Sequence, residues 1–348
     1  MTDNRARALG QWLADHPHLR ATADPVILVR AIFADYVSGL GHARLCVDQT
    51  FKPDARPWLA VEQAELNPAC YPAAELAMVF ATKYREETQA RIAAVIEALR
   101  PGGTLVVTAA NDLGAASLER QTRAVLGSVQ SMSKHKCRVF FGQKQEACLD
   151  QAMLQTWRDQ GLPRPVAASG LLACPGVFSY RSIDPGSRWL ADHLPTTLSG
   201  RGADFACGYG YLSQQVLSRS TGLTEWHLFD AERTALDLAA VNLSTVTTAA
   251  ERHYHWSDLT VPENFIRTHP SYFDCIVMNP PFHTGQKAEP QLGQALIRTA
   301  AFSLRPHGWL YLVANRQLPY ESTLTQLGLR CECLAEARGY KIIRAQKS

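Results

Sequence analysis

The sequence predicts an α/β fold made of two tandem Rossmann-like domains, a duplicated architecture, and three observations carry that expectation. The chain has 348 residues, more than the roughly 250 to 300 that one hydrophobic core organises. Helical periodicities alternate with short β-rich runs in both halves, the pattern of parallel strands joined by crossover helices. Leu99-Arg-Pro-Gly-Gly-Thr-Leu-Val-Val107 is echoed by Leu304-Arg-Pro-His-Gly-Trp-Leu-Tyr-Leu312, each reading as helix, tight turn and buried strand. The stretches before them, residues 90–99 and 294–304, space apolar residues for a helix packed on one face. A helix-Pro-Gly-strand unit is also common to α/β proteins at large, so the echo alone leaves duplication and shared architecture both open.

Residues 151–175 read as loop, punctuated by Gly161-Leu-Pro-Arg-Pro165 and Ser169-Gly170, and this is the expected interdomain connection. It divides the chain into an N-terminal domain of residues 1–165 and a C-terminal domain of residues 166–348. Apolar residues at 46% and charged residues at 19% leave no composition for long disorder. A formal charge of +3 is too small to demand a polyanionic partner, yet leaves room for basic patches placed by the fold. The opening residues run into Trp12 and Leu13 without the apolar core of a secretory signal, and no apolar run approaches the ~18 residues of a membrane helix. Nine scattered cysteines suit reduced thiols better than a disulfide framework. The expected setting is the cytoplasm, with no membrane partner, and the expected state is a monomer.

In the N-terminal half, Gly39-Leu-Gly41 is not preceded by a strand-closing acid, and no Asn-Pro-Pro-aromatic run is present. Its basic stretch Lys134-His-Lys-Cys-Arg138 reads either as a solvated surface or as phosphate contacts through Lys134, Lys136 and Arg138. The C-terminal half is richer. Ala203-Asp-Phe-Ala-Cys-Gly-Tyr-Gly210 follows a turn at Ser199-Gly200 and precedes a helical run from Leu212. Gly208 and Gly210 let the backbone bend tightly and approach a ligand at the carboxyl edge of a parallel sheet. Ser213 stands where a dinucleotide fingerprint would have its third glycine, which disfavours a pyrophosphate site and a nicotinamide-dependent dehydrogenase.

Further along, Glu225-Trp-His-Leu-Phe-Asp230 is a second strand presenting Asp230 to ribose hydroxyls. Asp258, after another strand, is either an acceptor for an adenine amino group or a turn and cap residue. His253 and His255 alternate beside it without a recognisable third ligand, so no metal site is expected. The most specific signal is Tyr272-Phe-Asp-Cys-Ile-Val-Met-Asn-Pro-Pro-Phe-His283. Pro280 and Pro281 end the strand and stiffen its exit, Asn279 offers acceptors that can converge on a substrate amine, and Phe282 offers a face for stacking. An amine held in line with an electron-poor methyl group attacks it with orientation and electrostatics as the protein's main contribution.

These motifs resemble those of class I S-adenosylmethionine methyltransferases, whose first motif commonly reads Asp-x-Gly-Cys-Gly-x-Gly and whose fourth reads Asn-Pro-Pro-Phe. More narrowly, the chain resembles the small-subunit ribosomal RNA methyltransferase C family, guanine-N2 enzymes with two similar domains. Pro175-Gly-Val-Phe-Ser179, Asp184-Pro-Gly-Ser187, Val313-Ala-Asn315 and Leu318-Pro-Tyr320 support that likeness. It implies a degenerate N-terminal methyltransferase-like domain that supports folding and holds RNA. It implies S-adenosylmethionine as cofactor, with Asp204 and Cys207, Gly208 and Gly210 at the methionine end, Asp230 at the ribose and Asp258 at the adenine. Asn279, Pro280, Pro281 and Phe282 would orient the guanine, Asn279 also bordering the cofactor, and His283 would touch substrate or only finish the turn. Ala206 departs from the family, which usually has glycine there.

The expected partner is ribosomal RNA or the small ribosomal subunit, the expected reaction guanine-N2 methylation of small-subunit (16S) RNA. Large-subunit guanine, adenine in nucleic acid and a protein glutamine amide are the neighbouring substrate alternatives. A catalytically inactive RNA-binding or ribosome-assembly protein of the same fold is the alternative of a different class.

Overall fold

The computed structural model describes residues 3–22, 25–261, 264–281, 283–284, 287–288 and 290–348, with backbone alone at 20–22, 264, 283–284 and 287–288. The chain divides into two compact units: residues 1–163 with 174–176, and residues 164–173 with 177–348.

In the first unit, helices α1 (Asn4–Asp15) and α2 (Pro17–Thr22) lead into strands β1 (Val26–Val29) and β2 (Leu45–Asp48), then α3 (Lys52–Ala55), β3 (Ala64–Leu66) and β4 (Ala74–Phe80). Helix α4 (Arg85–Ala98), β5 (Leu99–Ala110), α5 (Ala115–Leu126), β6 (Gln130–Lys134), β7 (Cys137–Gln143) and α6 (Gln151–Gly161) complete it. The strand order is β3-β2-β1-β4-β5-β7-β6. Strands β1 to β5 pair in parallel, and the β6–β7 hairpin closes one edge antiparallel.

The second unit begins with the short pair β8 (Arg164–Pro165) and β9 (Leu172–Ala173), followed by α7 (Pro185–His193), β10 (Ser199–Phe205), α8 (Tyr211–Leu217), β11 (Gly222–Asp230), α9 (Arg233–Leu243) and β12 (Glu251–Trp256). Then come α10 (Asn264–Thr268), β13 (Phe273–Met278), the two-residue strands β14 (His283–Thr284) and β15 (Lys287–Ala288), α11 (Pro290–Ser303), β16 (Leu304–Asn315), α12 (Tyr320–Gln326), β17 (Leu329–Ala337) and β18 (Tyr340–Lys347). Its order, β12-β11-β10-β13-β16-β18-β17, reproduces that of the first sheet strand for strand.

The duplication extends to an irregularity. In each unit the register slips at the start of the longest strand, between Ala74 and Leu76 opposite β5 and between Phe273 and Cys275 opposite β16. The Leu-Arg-Pro segments predicted as turns are therefore bulges inside strands. Gly103 and Gly308 explain why: a Cβ at Gly103 would lie 2.9 Å from the Arg100 carbonyl oxygen, and one at Gly308 would lie 3.0 Å from those of Arg305 and Phe273. A β-carbon there forces the backbone apart, so glycine is required for the bulge.

Both sheets carry apolar residues on both faces, as buried parallel sheets do. In the second unit one face packs Phe205, Phe229, Ile276 and Met278 against α11, and the other packs Trp226, Leu228 and Val277 against α8 and α9, whose Leu212 and Leu236 join the same cluster. The predicted loop over 151–175 is partly helix. Residues 151–161 form α6, whose start is capped by Asp150 accepting from the Met153 amide at 2.9 Å. Leu154 and Trp157 are its buried residues; with so narrow an apolar stripe the segment reads as polar. Ser199 and Gly200, predicted as a turn, belong to β10, with a bulge after Gly200.

Candidate active site

The parallel strands bring the candidate residues to one sheet edge. Asp204 sits beside Val277 and Leu228, Phe205 beside Met278 and Phe229, and Asp230 beside Trp256. The chain leaves β10 through a turn in which Ala206, Gly208 and Gly210 all have positive φ, at 61°, 54° and 91°. The two glycines serve different ends. A Cβ on Gly208 would meet nothing within 4 Å, whereas one on Gly210 would sit 3.2 Å from the Ala239 Cβ on α9. Gly208 opens onto space for a ligand, and Gly210 lets two helices close up.

A cavity opens above this turn, lined by Phe178, Asp184, Ser187, Ala206, Gly208 and Asn279 among others. Beneath it Asp204 is wholly buried. Its Oδ2 accepts from the Ser213 hydroxyl at 2.7 Å, and Ser213 Oγ in turn accepts from Trp226 Nε1 at 2.9 Å. Its Oδ1 has no hydrogen-bond partner among the described residues. Burial, reinforced by the nearby Asp230 carboxylate and partly offset by Ser213, pushes Asp204 up to about 7. Burial likewise pushes Asp230 up to about 6.

Asp230 is engaged by the backbone: Oδ2 accepts from the Gly208 amide and Oδ1 from the Glu232 amide, each at 2.8 Å. Each oxygen keeps acceptor capacity for a ligand. Asp258 is buried, and its Oδ1 accepts from the Thr260 amide at 3.0 Å and hydroxyl at 2.5 Å, the turn role read beside the adenine one. Cys207 is buried and its thiol is held well above its ordinary pKa by burial, so it is neutral packing and no nucleophile.

Asn279 leaves β13 with its side chain pinned. Nδ2 donates to Asp184 Oδ2 at 2.8 Å and to Ser187 Oγ at 2.7 Å. Asp184 caps α7, accepting from the Ser187 amide at 2.7 Å with Pro185 in the first turn. Two acceptors on Nδ2 fix which way the amide faces, and Oδ1 accepts no hydrogen bond among the described residues. Pro280 is buried and Pro281 exposed. Phe282 lies outside the described residues, and His283 is described in its backbone only.

The basic stretch lies in the first unit, at the tip of the β6–β7 hairpin. Lys134 and Lys136 are exposed there, while Arg138 is turned back onto Glu119, its Nη1 donating at 2.6 Å. Sequence reasoning missed the Asp204–Ser213–Trp226 chain and the buttressing of Asn279 by Asp184 and Ser187. In the sequence Asp184-Pro-Gly-Ser187 stands out only for its likeness to the family, and nothing local connects it to residue 279.

The residues fit a ligand with a cationic amino-acid end: a buried carboxylate oxygen lacks a donor, and a side-chain-free backbone faces open space. Residues 169–344 match the methyltransferase small domain family. Fold and cavity together define a class I S-adenosylmethionine-dependent methyltransferase. The ribosomal RNA small subunit methyltransferase C of Pseudomonas paraeruginosa is 30% identical over 83% of this chain and 88% of its own length. That of Shewanella loihica is 28% identical over 72% and 70%. With its counterpart from Idiomarina loihiensis the match is 32% over about half of each, 49% of this chain and 48% of the relative. The chain belongs to the ribosomal RNA small subunit methyltransferase C family. A solved 16S rRNA guanine-N2 methyltransferase of T. thermophilus, in complex with AdoMet and guanosine, shares the two-domain fold with a TM-score of 0.75 and 24% identity, over 96% of this chain and 91% of that one.

Proposed function

We propose that the second unit transfers a methyl group from S-adenosylmethionine to the exocyclic N2 amine of a guanine in small-subunit ribosomal RNA. Family membership supports the reaction, and the pinned Asn279 amide is the observation that carries the assignment of its site. S-adenosylmethionine supplies the electrophilic methyl group. Asp204, with the turn at Cys207, Gly208 and Gly210, holds the cofactor's charged amino-acid end; Asp230 holds the ribose and Asp258 the adenine.

An aromatic exocyclic amine is a weak nucleophile because its lone pair is delocalised into the ring. With Nδ2 committed to Asp184 and Ser187, Asn279 presents Oδ1 as an acceptor for an N2 hydrogen. That contact localises the lone pair on nitrogen and orients it. Pro280 and Pro281 keep the chain from yielding, Phe282 is the residue to stack on the base, and His283 either touches the substrate or only finishes the turn. A base flipped or already unpaired reaches such a pocket.

The first unit is the degenerate copy, supporting the catalytic unit and holding RNA through phosphate contacts at Lys134 and Lys136; Arg138, expected with them, is instead held by Glu119. The substrate form is ribosomal RNA or the small subunit, the enzyme works as a monomer, and its setting is the cytoplasm. Among the described residues no helix is long and apolar enough to cross a membrane.

The test is labelled-methyl transfer to naked RNA and to both subunits from cells lacking the enzyme, followed by nucleoside mass spectrometry. N2-methylguanosine at one small-subunit position is expected. Transfer to large-subunit RNA or another amine overturns the substrate, and neither transfer nor cofactor binding overturns the enzyme. Asn279→Ala is expected to lower transfer by about 10²- to 10³-fold or more with cofactor affinity nearly unchanged. Equal loss of both would remove Asn279 from the amine.

A further inference from the structure

The prediction of no metal site rested on two histidines without a third ligand in their own segment. The sheet supplies ligands from the next strand. β11 and β12 run in parallel with His227 opposite His253 and Phe229 opposite His255. Alternation along each strand puts Glu225, His227, His253 and His255 on one face, away from Trp226 and Leu228, which pack toward α8 and α9.

We propose that Glu225, His227 and His253 form a binding site for one divalent transition-metal ion, zinc being the ion that two imidazoles and one carboxylate suit. Their ligand atoms lie within 4.8 Å of one another. His227 Nε2 and Glu225 Oε2 are 3.1 Å apart, close to the ~3.3 Å between two ligands bonded tetrahedrally to zinc at about 2.0 to 2.1 Å. The rings of His227 and His253 stand face to face, 4.4 Å between centroids. His253 is one-third exposed and has the freedom to turn its ring edge toward the ion. Glu251, 3.6 Å from His253 Nε2, is within reach as a further oxygen ligand.

The outer contacts are those a metal site needs. His227 is almost wholly buried, and its second nitrogen, Nδ1, is 3.0 Å from His255 Nε2. With a metal on Nε2, Nδ1 carries the ring proton and donates to His255 Nε2, the arrangement that orients ligating histidines. Glu225 Oε2 accepts from the Tyr272 hydroxyl at 2.5 Å, and Arg201 lies over the Tyr272 ring at 4.1 Å. Without a metal the same atoms form a hydrogen-bonded chain, His255 Nε2 donating to His227 Nδ1 and His227 Nε2 donating to Glu225. A metal on His227 Nε2 displaces that proton and switches both rings to the other tautomer, the proton between them passing to His227 Nδ1 and His255 taking one up on its own Nδ1. Bound there, it ties edge strand β12 to β11, the strand that ends in Asp230. None of these side chains lines the cofactor cavity.

The experiment uses the full chain, stripped with a chelator, then titrated with zinc by calorimetry and with cobalt by visible absorption. His253→Ala and Glu225→Gln are compared with the parent, since each removes one ligand from a partly exposed position. All keep the same cysteines, so any thiolate binding is common to the three. One equivalent bound by the parent, weakened at least ~10-fold in both variants, with a zinc-dependent rise in melting temperature that both variants lose, is the expected result. No zinc binding by the parent up to millimolar concentration, or equal affinity in parent and His253→Ala, overturns the site. Cofactor binding, followed in parallel, reports separately on the methyltransferase reading.

Discussion

The two units share a strand order and even a bulge, yet the same corner of each sheet is put to opposite use. In the second unit, β10 is followed by Ala206 with φ at 61°, and the turn opens onto a cavity. In the first, β1 is followed by Arg30 with φ at 53°. Its guanidinium is buried and paired with Glu87 on α4, Nε donating at 2.7 Å. The strand-ending acids correspond as well. Asp230 closes β11 and takes backbone amides, while Asp48 closes β2 and is held by Arg91 and the Tyr71 hydroxyl. Arg91 also reaches Glu87 at 3.1 Å, and Thr82 donates to Glu87 at 2.8 Å. Where one copy leaves the Asp204 Oδ1 without a partner among the described residues, the other satisfies its charges with its own side chains. On the proposed reading of the first unit as a degenerate copy, a cofactor site can be given up without loss of fold, because the network meets the requirement that buried charges be paired.

The largest effect expected from breaking this contrast is in the first unit. Burial alone would raise the pKa of Glu87, but Arg30 and Arg91 outweigh it and hold the carboxyl below its ordinary range. Glu87→Ala leaves both guanidiniums without that partner and is expected to cost ~3–5 kcal/mol, read by denaturant unfolding of the full chain. Because the folded-state pKa is depressed, the parent's contribution from Glu87 is present above the unfolded value of 4.5 and is lost as pH falls through the lower folded value. A loss below 1 kcal/mol would mean the network fills space and adds little to stability.

A smaller effect sharpens the other side. Asp204 is raised to about 7, so the folded cofactor-free protein holds a proton that the unfolded chain has released. Its contribution to stability is therefore present below the unfolded value of 3.8 and lost as pH rises toward 7. A cationic ligand end favours the ionised carboxylate, so cofactor affinity should run the opposite way, rising about tenfold for each pH unit gained below 7 and levelling above it. Calorimetric titration between pH 5.5 and 8 checks this, and Asp204→Asn should flatten the curve. A parent profile already flat would detach Asp204 from the cofactor's charge.

The sequence made the sheet architecture legible because its signals are local: alternating periodicities, the Leu-Arg-Pro echo, glycines in a strand-to-helix turn and prolines ending a strand. It also marked Asp230 and Asn279 by their places at strand ends. What it concealed lies across long separations. Arg30 and Glu87 meet over 57 residues, Asn279 and Asp184 over 95, and His227 faces His253 only once β11 and β12 are in register. Ser213 was read for the glycine it replaces, whereas its hydroxyl bridges Asp204 and Trp226. Helix α6 was hidden by composition, since a surface helix burying little more than Leu154 and Trp157 has almost the polarity of a loop.

The smallest expected effect tests whether Ala206 is a defect or a fitted residue. A non-glycine residue at φ 61° carries the left-handed penalty of roughly 1 kcal/mol, and nothing like the Arg30 ion pair accompanies the Ala206 methyl, which borders the cavity. Ala206→Gly should therefore leave stability within about 1 kcal/mol of the parent, relief of strain offsetting the added freedom of the unfolded chain, and should tighten cofactor binding by removing a methyl from the cavity wall. Arg30→Gly makes the same backbone change at the corresponding position but strands Glu87, and should destabilise severalfold more. If both glycine variants behave alike, the backbone geometry governs the two corners. If they diverge as expected, the side chain after the first strand decides whether a unit keeps a cofactor cleft or an internal ion network.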